Sequence, residues 1–118
     1  MDRIRFITHR DKQVLFIDAA NCTAEQLIEL GEEIRKSVTA QPHNSVLTLT
    51  DFSGAKFSRD AITRLKEIAV YDRPHVKRAA ILGADSLPKA YYDALKVFSQ
   101  REFARFATRE EALEWLTK

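Results

Sequence analysis

At 118 residues the chain is long enough for one domain with a real core, residues 1–118, and too short for two. Its 19 basic and 17 acidic residues leave a net charge of +2, too balanced for an electrostatic nucleic-acid binder. One cysteine, no apolar run of membrane-spanning length and a charged, strand-like N-terminus lead us to expect a cytoplasmic protein without a disulfide.

Two short apolar runs open the chain, Arg3–Thr8 and Gln13–Ala19, and the polar tetrad His9–Lys12 between them predicts a hairpin. In the first run Ile4 and Phe6 alternate with Arg3 and Arg5, the pattern of a half-exposed edge strand. In the second, Val14–Ile17 is continuously apolar, as in a strand covered on both faces, and the run stops near Asp18. Thr23–Val38 then carries Leu27, Leu30, Ile34 and Val38 at helical spacing, with Thr23 and Gln26 in a capping-box pattern. Gly31 inside this helix costs about 1 kcal/mol relative to alanine and reads as a mildly unfavourable helix residue.

After the loop Ala40–Ser45 comes the stretch on which the chain turns, VLTLTDFSGAKFSRD from Val46 to Asp60. A buried strand, Val46–Thr50, stops at the carboxylate of Asp51; Gly54 marks a turn, and Ser58 is a good N-cap with Asp60 in the first helical turn. The end of such a strand, facing a helix start, is where open α/β sheets usually keep their sites. Ala61, Ile62, Leu65, Ile68 and Ala69 form the helix stripe, which closes at Arg73 before Pro74. A strand over His75–Gly83 and a turn over Gly83–Ser86 follow. Pro88 then opens a helix carrying Tyr91, Ala94, Leu95 and Phe98 inward. Phe103–Phe106 is a short strand, and Thr108–Lys118 a final helix with Thr108 and Glu111 as its cap. There Leu113 and Leu116 face in and Trp115 packs at the edge. The order β-β-α-β-α-β-α-β-α predicts an α/β protein, a mixed sheet of five strands covered by four helices.

This order resembles the STAS fold of anti-sigma-factor antagonists, and more closely the small stand-alone STAS-like proteins, SpoIIAA-like and grouped with SEC14-type domains. The matching residues are IDAAN (Ile17–Asn21), LTLTDFSGAKFS (Leu47–Ser58), VKRAAILG (Val76–Gly83) and FARFATREEALEWL (Phe103–Leu116). They are mostly fold-determining, so the resemblance implies a fold more strongly than an activity. In phosphorylated members the acceptor serine follows a pattern like D-L-S-x-x-x-F-x-D-S. Laid on Asp51, Ser53 and Phe57, that pattern puts Arg59 at its aspartate and Asp60 at its serine. The acceptor hydroxyl is therefore absent from the expected place, with Ser58 two residues early and Ser53 a further candidate, while the carboxylate of Asp60 imitates a phosphorylated state.

Asp18, Asp51 and Asp85 each follow a strand, so all three are candidates to gather at one end of the sheet. The sharp reading is a Mg²⁺ or phosphoryl-transfer site; the plainer one is that strand ends and turns favour aspartate. His9, His43 and His75 show no zinc or triad spacing and read as exposed polar residues. Cys22 reads as a quiet small residue. Arg59, Arg64, Lys66, Arg73, Lys77 and Arg78, diluted by Asp60, Glu67 and Asp72, read as a solvated basic face. Phe52 and Phe57 flank the Gly54 turn and pin it if both are core.

The leading expectation is a non-enzymatic interaction or regulatory module, without cofactor or metal. It docks a protein partner through Asp51–Asp60, with Asp18, Asn21 and Asp85 nearby, so that Gly54→Arg abolishes capture without unfolding the chain. A small-molecule or lipid-binding domain using the same sheet end for an apolar ligand is the alternative, and a metal-assisted enzyme the third reading. Self-association to a homodimer through a helix or an edge strand is also open, with the first strand as the candidate edge.

Overall fold

The opening hairpin forms where its sequence predicts, β1 (Ile4–His9) running antiparallel to β2 (Lys12–Asp18). Its register runs from Ile4 opposite Ile17 to His9 opposite Lys12. Arg10 and Asp11 both take positive φ, 52° and 63°, the two-residue type I′ turn whose twist matches that of the strands. The computed structural model describes residues 3–99 and 102–118.

From β2 onward helices and strands alternate: α1 (Ala24–Thr39), β3 (Val46–Asp51), α2 (Arg59–Asp72), β4 (Val76–Leu82), a 3-10 turn over Ala84–Ser86, α3 (Lys89–Ser99), β5 (Glu102–Phe106) and α4 (Arg109–Leu116). The five strands lie in the order β1-β2-β3-β4-β5, with β2 to β5 parallel. The α/β order predicted from sequence is the order observed. Because each parallel strand is laid beside its predecessor, crossovers of one hand stack α1, α2 and α3 on the same face. After β5, α4 passes to the opposite face and packs on β3, β4 and β5.

The caps are those the sequence predicts. Thr23 and Gln26 complete both halves of the capping box at 2.8 and 3.2 Å. The Ser58 hydroxyl accepts from Ala61 N–H at 3.1 Å, and that of Thr108 accepts from Glu111 N–H at 3.2 Å. Arg73 caps α2 ahead of Pro74.

Two cores result. Leu15, Ile17, Leu27, Leu30, Leu65, Ile68, Ile81 and Tyr91 fill the space between the sheet and α1–α3. Val14, Phe16, Leu47, Leu49 and Leu82 meet Ala112 and Leu116 of α4 on the other side, with Leu113 and Trp115 half-buried against them. The continuous apolar run of β2 is thus buried on both faces.

Three sequence expectations change. Gly31 is a packing device: a Cβ there would stand 2.7 Å from Ile68 Cδ1 and 2.9 Å from Leu65 Cδ2, so α1 and α2 approach through it. Phe6 is 43% exposed, because the edge strand carries it beyond the helices while Ile4 reaches the core. The histidines are not uniformly exposed: His43 and His75 meet edge to face at 4.8 Å, and His75 Nδ1–H donates to the Gln41 carbonyl at 2.8 Å. Ala94 is half-buried; Leu95 and Phe98, expected inward, fall where α3 is described by its backbone alone. Among the described residues no helix is long and apolar enough to cross a membrane.

Candidate functional site

The parallel register brings the C-terminal ends of β2, β3 and β4 level, Asp18 beside Asp51 and Asp51 beside Leu82. The three loops leaving those ends are tied to one another through backbone groups. Ala19 N–H donates to the Asp51 carbonyl at 2.9 Å, Asn21 N–H to Ser53 at 2.8 Å and Lys56 N–H to Cys22 at 2.9 Å. Phe52 N–H donates to the Leu82 carbonyl at 2.9 Å, and Gly54 N–H to the Ser86 hydroxyl at 2.9 Å. With its backbone donors satisfied internally, this platform is held as a unit rather than as three independent loops.

Left-handed backbone makes the close approach possible. Asn21, Gly54 and Gly83 adopt φ of 59°, 70° and 68°, a region that glycine enters freely and asparagine tolerates. A Cβ on Gly54 would collide with the Asn21 side chain, and one on Gly83 with the Ser53 backbone and hydroxyl. Gly54→Arg therefore strains the platform itself and does not act at the surface alone, a correction to the sequence expectation.

The strand-end aspartates serve the loops. Asp18 Oδ1 accepts from Ala20 N–H at 3.0 Å, and Asp51 Oδ1 from Ser53 N–H at 2.9 Å, both side chains closing turns over their own chain. Arg3 reinforces the first loop, its Nη1 donating to the carbonyls of Asp18 and Ala20 at 3.1 and 3.0 Å. Asp85 lies exposed in the 3-10 turn. No group of three or more metal-ligating side chains occurs among the described residues.

Beneath the platform sits an aromatic floor. Phe52 is buried and Phe57 half-buried, 5.8 Å apart, and both face Tyr91 at 6.4 and 5.5 Å. Phe52 therefore anchors the loop from below, while Phe57 rests on the core. Asn21, Ser53, Gly54, Ser58, Asp60 and Asp85 are exposed, and Asp18 and Asp51 half-exposed. Ser58 is occupied as the α2 N-cap, whereas the Ser53 hydroxyl stands beside Gly83. Lys56, exposed, and Ser86, which accepts from Gly54, belong to the platform too. Lys56 falls within the expected Asp51–Asp60 segment but is not singled out by sequence, and Ser86 lies outside it, because neither type signals a site without knowing which loops meet.

Two candidate groups sit apart from aqueous chemistry. Cys22 is fully buried under the first loop, and burial pushes its thiol upward; Arg3 pulls it down and Asp18 pushes it further up, both more weakly. That environment opposes a thiolate nucleophile. Behind the platform, between sheet and helices, lies a cavity of about 90 Å³ lined by Ile17, Leu27, Thr48, Ile68, Asp72 and Tyr91. It falls short of the roughly 300–1,000 Å³ of drug-sized ligand pockets. The basic residues of mid-chain do not form one stripe: Arg64 bonds Glu32 and Glu67, and Arg78 the carbonyl of Trp115.

Comparison with known proteins agrees with this architecture. No curated protein matches the chain. The crystal structure of an uncharacterised protein from Shewanella loihica PV-4 with a SpoIIAA-like fold superposes with a TM-score of 0.76 at 21% identity, covering 96% of this chain and 91% of that one. At that identity the likeness establishes the fold and nothing further. The sequence profile of the SpoIIAA-like family matches residues 16–117, from the middle of β2 to the end of α4. On that match, the chain belongs to the SpoIIAA-like family.

Proposed function

We propose that this protein is a non-enzymatic docking module of regulatory type, and that its partner is another protein bound on the platform of loops after β2, β3 and β4. The observation that carries the reading is the reciprocal backbone bonding of the three loops. It holds exposed Asn21, Ser53, Lys56, Asp60 and Asp85 on a preformed surface, so little ordering entropy is lost on binding. Asp60 presents a fixed carboxylate in the first turn of α2, where the resemblance to phosphorylated anti-sigma-factor antagonists implies the acceptor serine, so docking here proceeds without a phosphorylation switch. The apolar-ligand reading is weaker because the interior cavity is small and the larger groove at the sheet end, about 380 Å³ beside Ser53, Gly83 and Asp85, is lined mainly by polar groups. The metal-assisted reading is weaker because Asp18 and Asp51 each spend an oxygen on a turn.

The test is affinity capture from a lysate of the host cell with wild type, Lys56→Glu, Asp60→Lys and a distal control, His43→Ala. Each variant is first shown to be folded by circular dichroism. A defined partner held by wild type and control, and reduced at least tenfold by both platform variants, supports docking. A partner retained by the folded platform variants sinks the proposal, as does a small molecule released on denaturation with no protein captured.

A further inference from the structure

β1 is one of the two edge strands of the sheet, β5 being the other, and the hairpin fixes which of its backbone groups face out. One step beyond the pair Ile4–Ile17, Asp18 N–H donates to the Arg3 carbonyl at 2.7 Å. In an antiparallel ladder hydrogen-bonded pairs alternate, so Arg3, Arg5, Ile7 and His9 spend their amides and carbonyls on β2. Those of Ile4, Phe6 and Thr8 point outward along an edge that no other described strand pairs with. The edge carries none of the usual guards: it has no proline, and its pairing with β2 runs without a bulge. The charges that would protect it are turned back over the sheet. Arg5 lies over the Phe16 ring at 5.4 Å, and Arg3 bonds the Asp18 and Ala20 carbonyls. What remains at the centre of the edge is Phe6, 43% exposed.

We propose that β1 pairs antiparallel with β1 of a second copy of this chain, about a two-fold axis at Phe6. A two-fold pair centred on Phe6 is the arrangement that uses all three outward residues. Phe6 then faces Phe6 of the copy, and Ile4 faces its Thr8. Charge is compatible with this register: Arg5 falls opposite Ile7 and Arg3 opposite His9, so no arginine faces an arginine. Each hairpin still carries Arg3, Arg5, Arg10 and Lys12 against Asp11 and Asp18, an excess of positive charge, so added salt tightens the pair by screening. The paired strand Ile4–His9 contributes no residue to the platform surface, and Arg3 touches the platform through the Asp18 and Ala20 carbonyls. The dimer therefore displays two docking surfaces, and its existence does not depend on what they bind.

Light scattering during size exclusion, from micromolar to hundreds of micromolar protein, reads the mass; circular dichroism checks that each variant is folded. The expected result is a dimer whose dissociation constant rises at least tenfold with Phe6→Lys. It rises similarly with Thr8→Pro, which deletes an outward amide that β2 does not use. Cross-linking tests the register. A hydrogen-bonded antiparallel pair has Cα atoms about 5.5 Å apart, within disulfide span. Phe6→Cys therefore oxidises to a covalent dimer, whereas Arg5→Cys, offset from its counterpart, does so at least tenfold more slowly; buried Cys22 stays reduced. A chain monomeric at every concentration overturns the proposal. So do a dimer indifferent to Phe6→Lys and Thr8→Pro, and equal cross-linking at the two positions.

Discussion

The two faces of the sheet are covered by different means. On one, three helices bring leucine, isoleucine and tyrosine against the strands, and α1 and α2 close on each other through Gly31. On the other, α4 supplies Ala112 and Leu116, and arginines complete the roof. Arg5 and Arg109 lie over Phe16 at 5.4 and 4.4 Å, and Arg78 lies over Trp115 at 5.6 Å. Aliphatic stems and flat guanidinium groups shield apolar surface while keeping their charge near water. A strand can therefore be buried on both faces where only one is fully covered by helices. The chain carries a native reporter for each face: its single cysteine, Cys22, in the three-helix core and its single tryptophan, Trp115, against the other.

Matched truncations test that difference most strongly. Leu27 and Leu116 are each 1% exposed, one in each core. Leu27→Ala is expected to cost about 2–5 kcal/mol, read by urea unfolding, with faster alkylation of Cys22. Leu116→Ala is expected to cost about 2 kcal/mol, because an eight-residue helix can detach locally instead of leaving a rigid cavity. Its signature is a red shift of Trp115 emission ahead of the main unfolding transition. Equal midpoint losses in one coincident transition would make the two faces a single unit. Next in size is Gly31→Val, which gains helix propensity yet wedges a side chain between α1 and α2. A net loss of about 1–3 kcal/mol is expected, and an unchanged midpoint would show that Leu65 and Ile68 can give way.

The fold was legible because its signals are local and periodic. The capping residues Thr23, Ser58 and Thr108, the apolar run Val14–Ile17 and the break before Pro74 each act within a few residues of themselves. The strand-end site was legible in outline for the same reason, since Asp51, Gly54 and Ser58 mark a strand end, a turn and a helix start. What sequence could not supply was long-range pairing. Ser86 reaching Gly54, His43 meeting His75 and Gly31 admitting α2 all join residues more than thirty apart. The arginines were misjudged on that account too. Arg78 belongs to a basic stretch in sequence, and only the return of α4 to the sheet makes it a cover.

Arg78→Ala asks whether that cover contributes to stability. Its Nη1 donates to the Trp115 carbonyl at 3.0 Å near the end of α4, where helix carbonyls lack intrahelical partners. Losing both this bond and the stem is expected to cost about 1–2 kcal/mol. Trp115 emission should shift to the red while Cys22 labelling stays unchanged. Faster labelling as well would mean that the disturbance crosses the sheet.

The smallest effect concerns the ion cluster that bridges α1 and α2 on the three-helix face. Glu32 accepts from Arg64 Nε at 2.7 Å and from Arg35 Nε at 3.3 Å, and it also meets Arg64 Nη2. The Arg64 hydrogen bond is the main reason its carboxyl sits below the usual range; Arg35 and the two positive charges add to this, and burial opposes it. A carboxylate with a folded value below its unfolded one stabilises the fold fully above the ordinary carboxylate range, and that contribution fades as pH falls through the folded value. The groups lie at the surface, so salt screens them and the gain is small. Glu32→Gln should thus lower the melting temperature slightly at neutral pH and low salt, and the gap should close under acid or high salt. A gap constant from neutral to acid would mean that Glu32 holds the helices by packing alone. The three-helix face would then owe its advantage to Gly31 and its aliphatic neighbours, with charge contributing nothing.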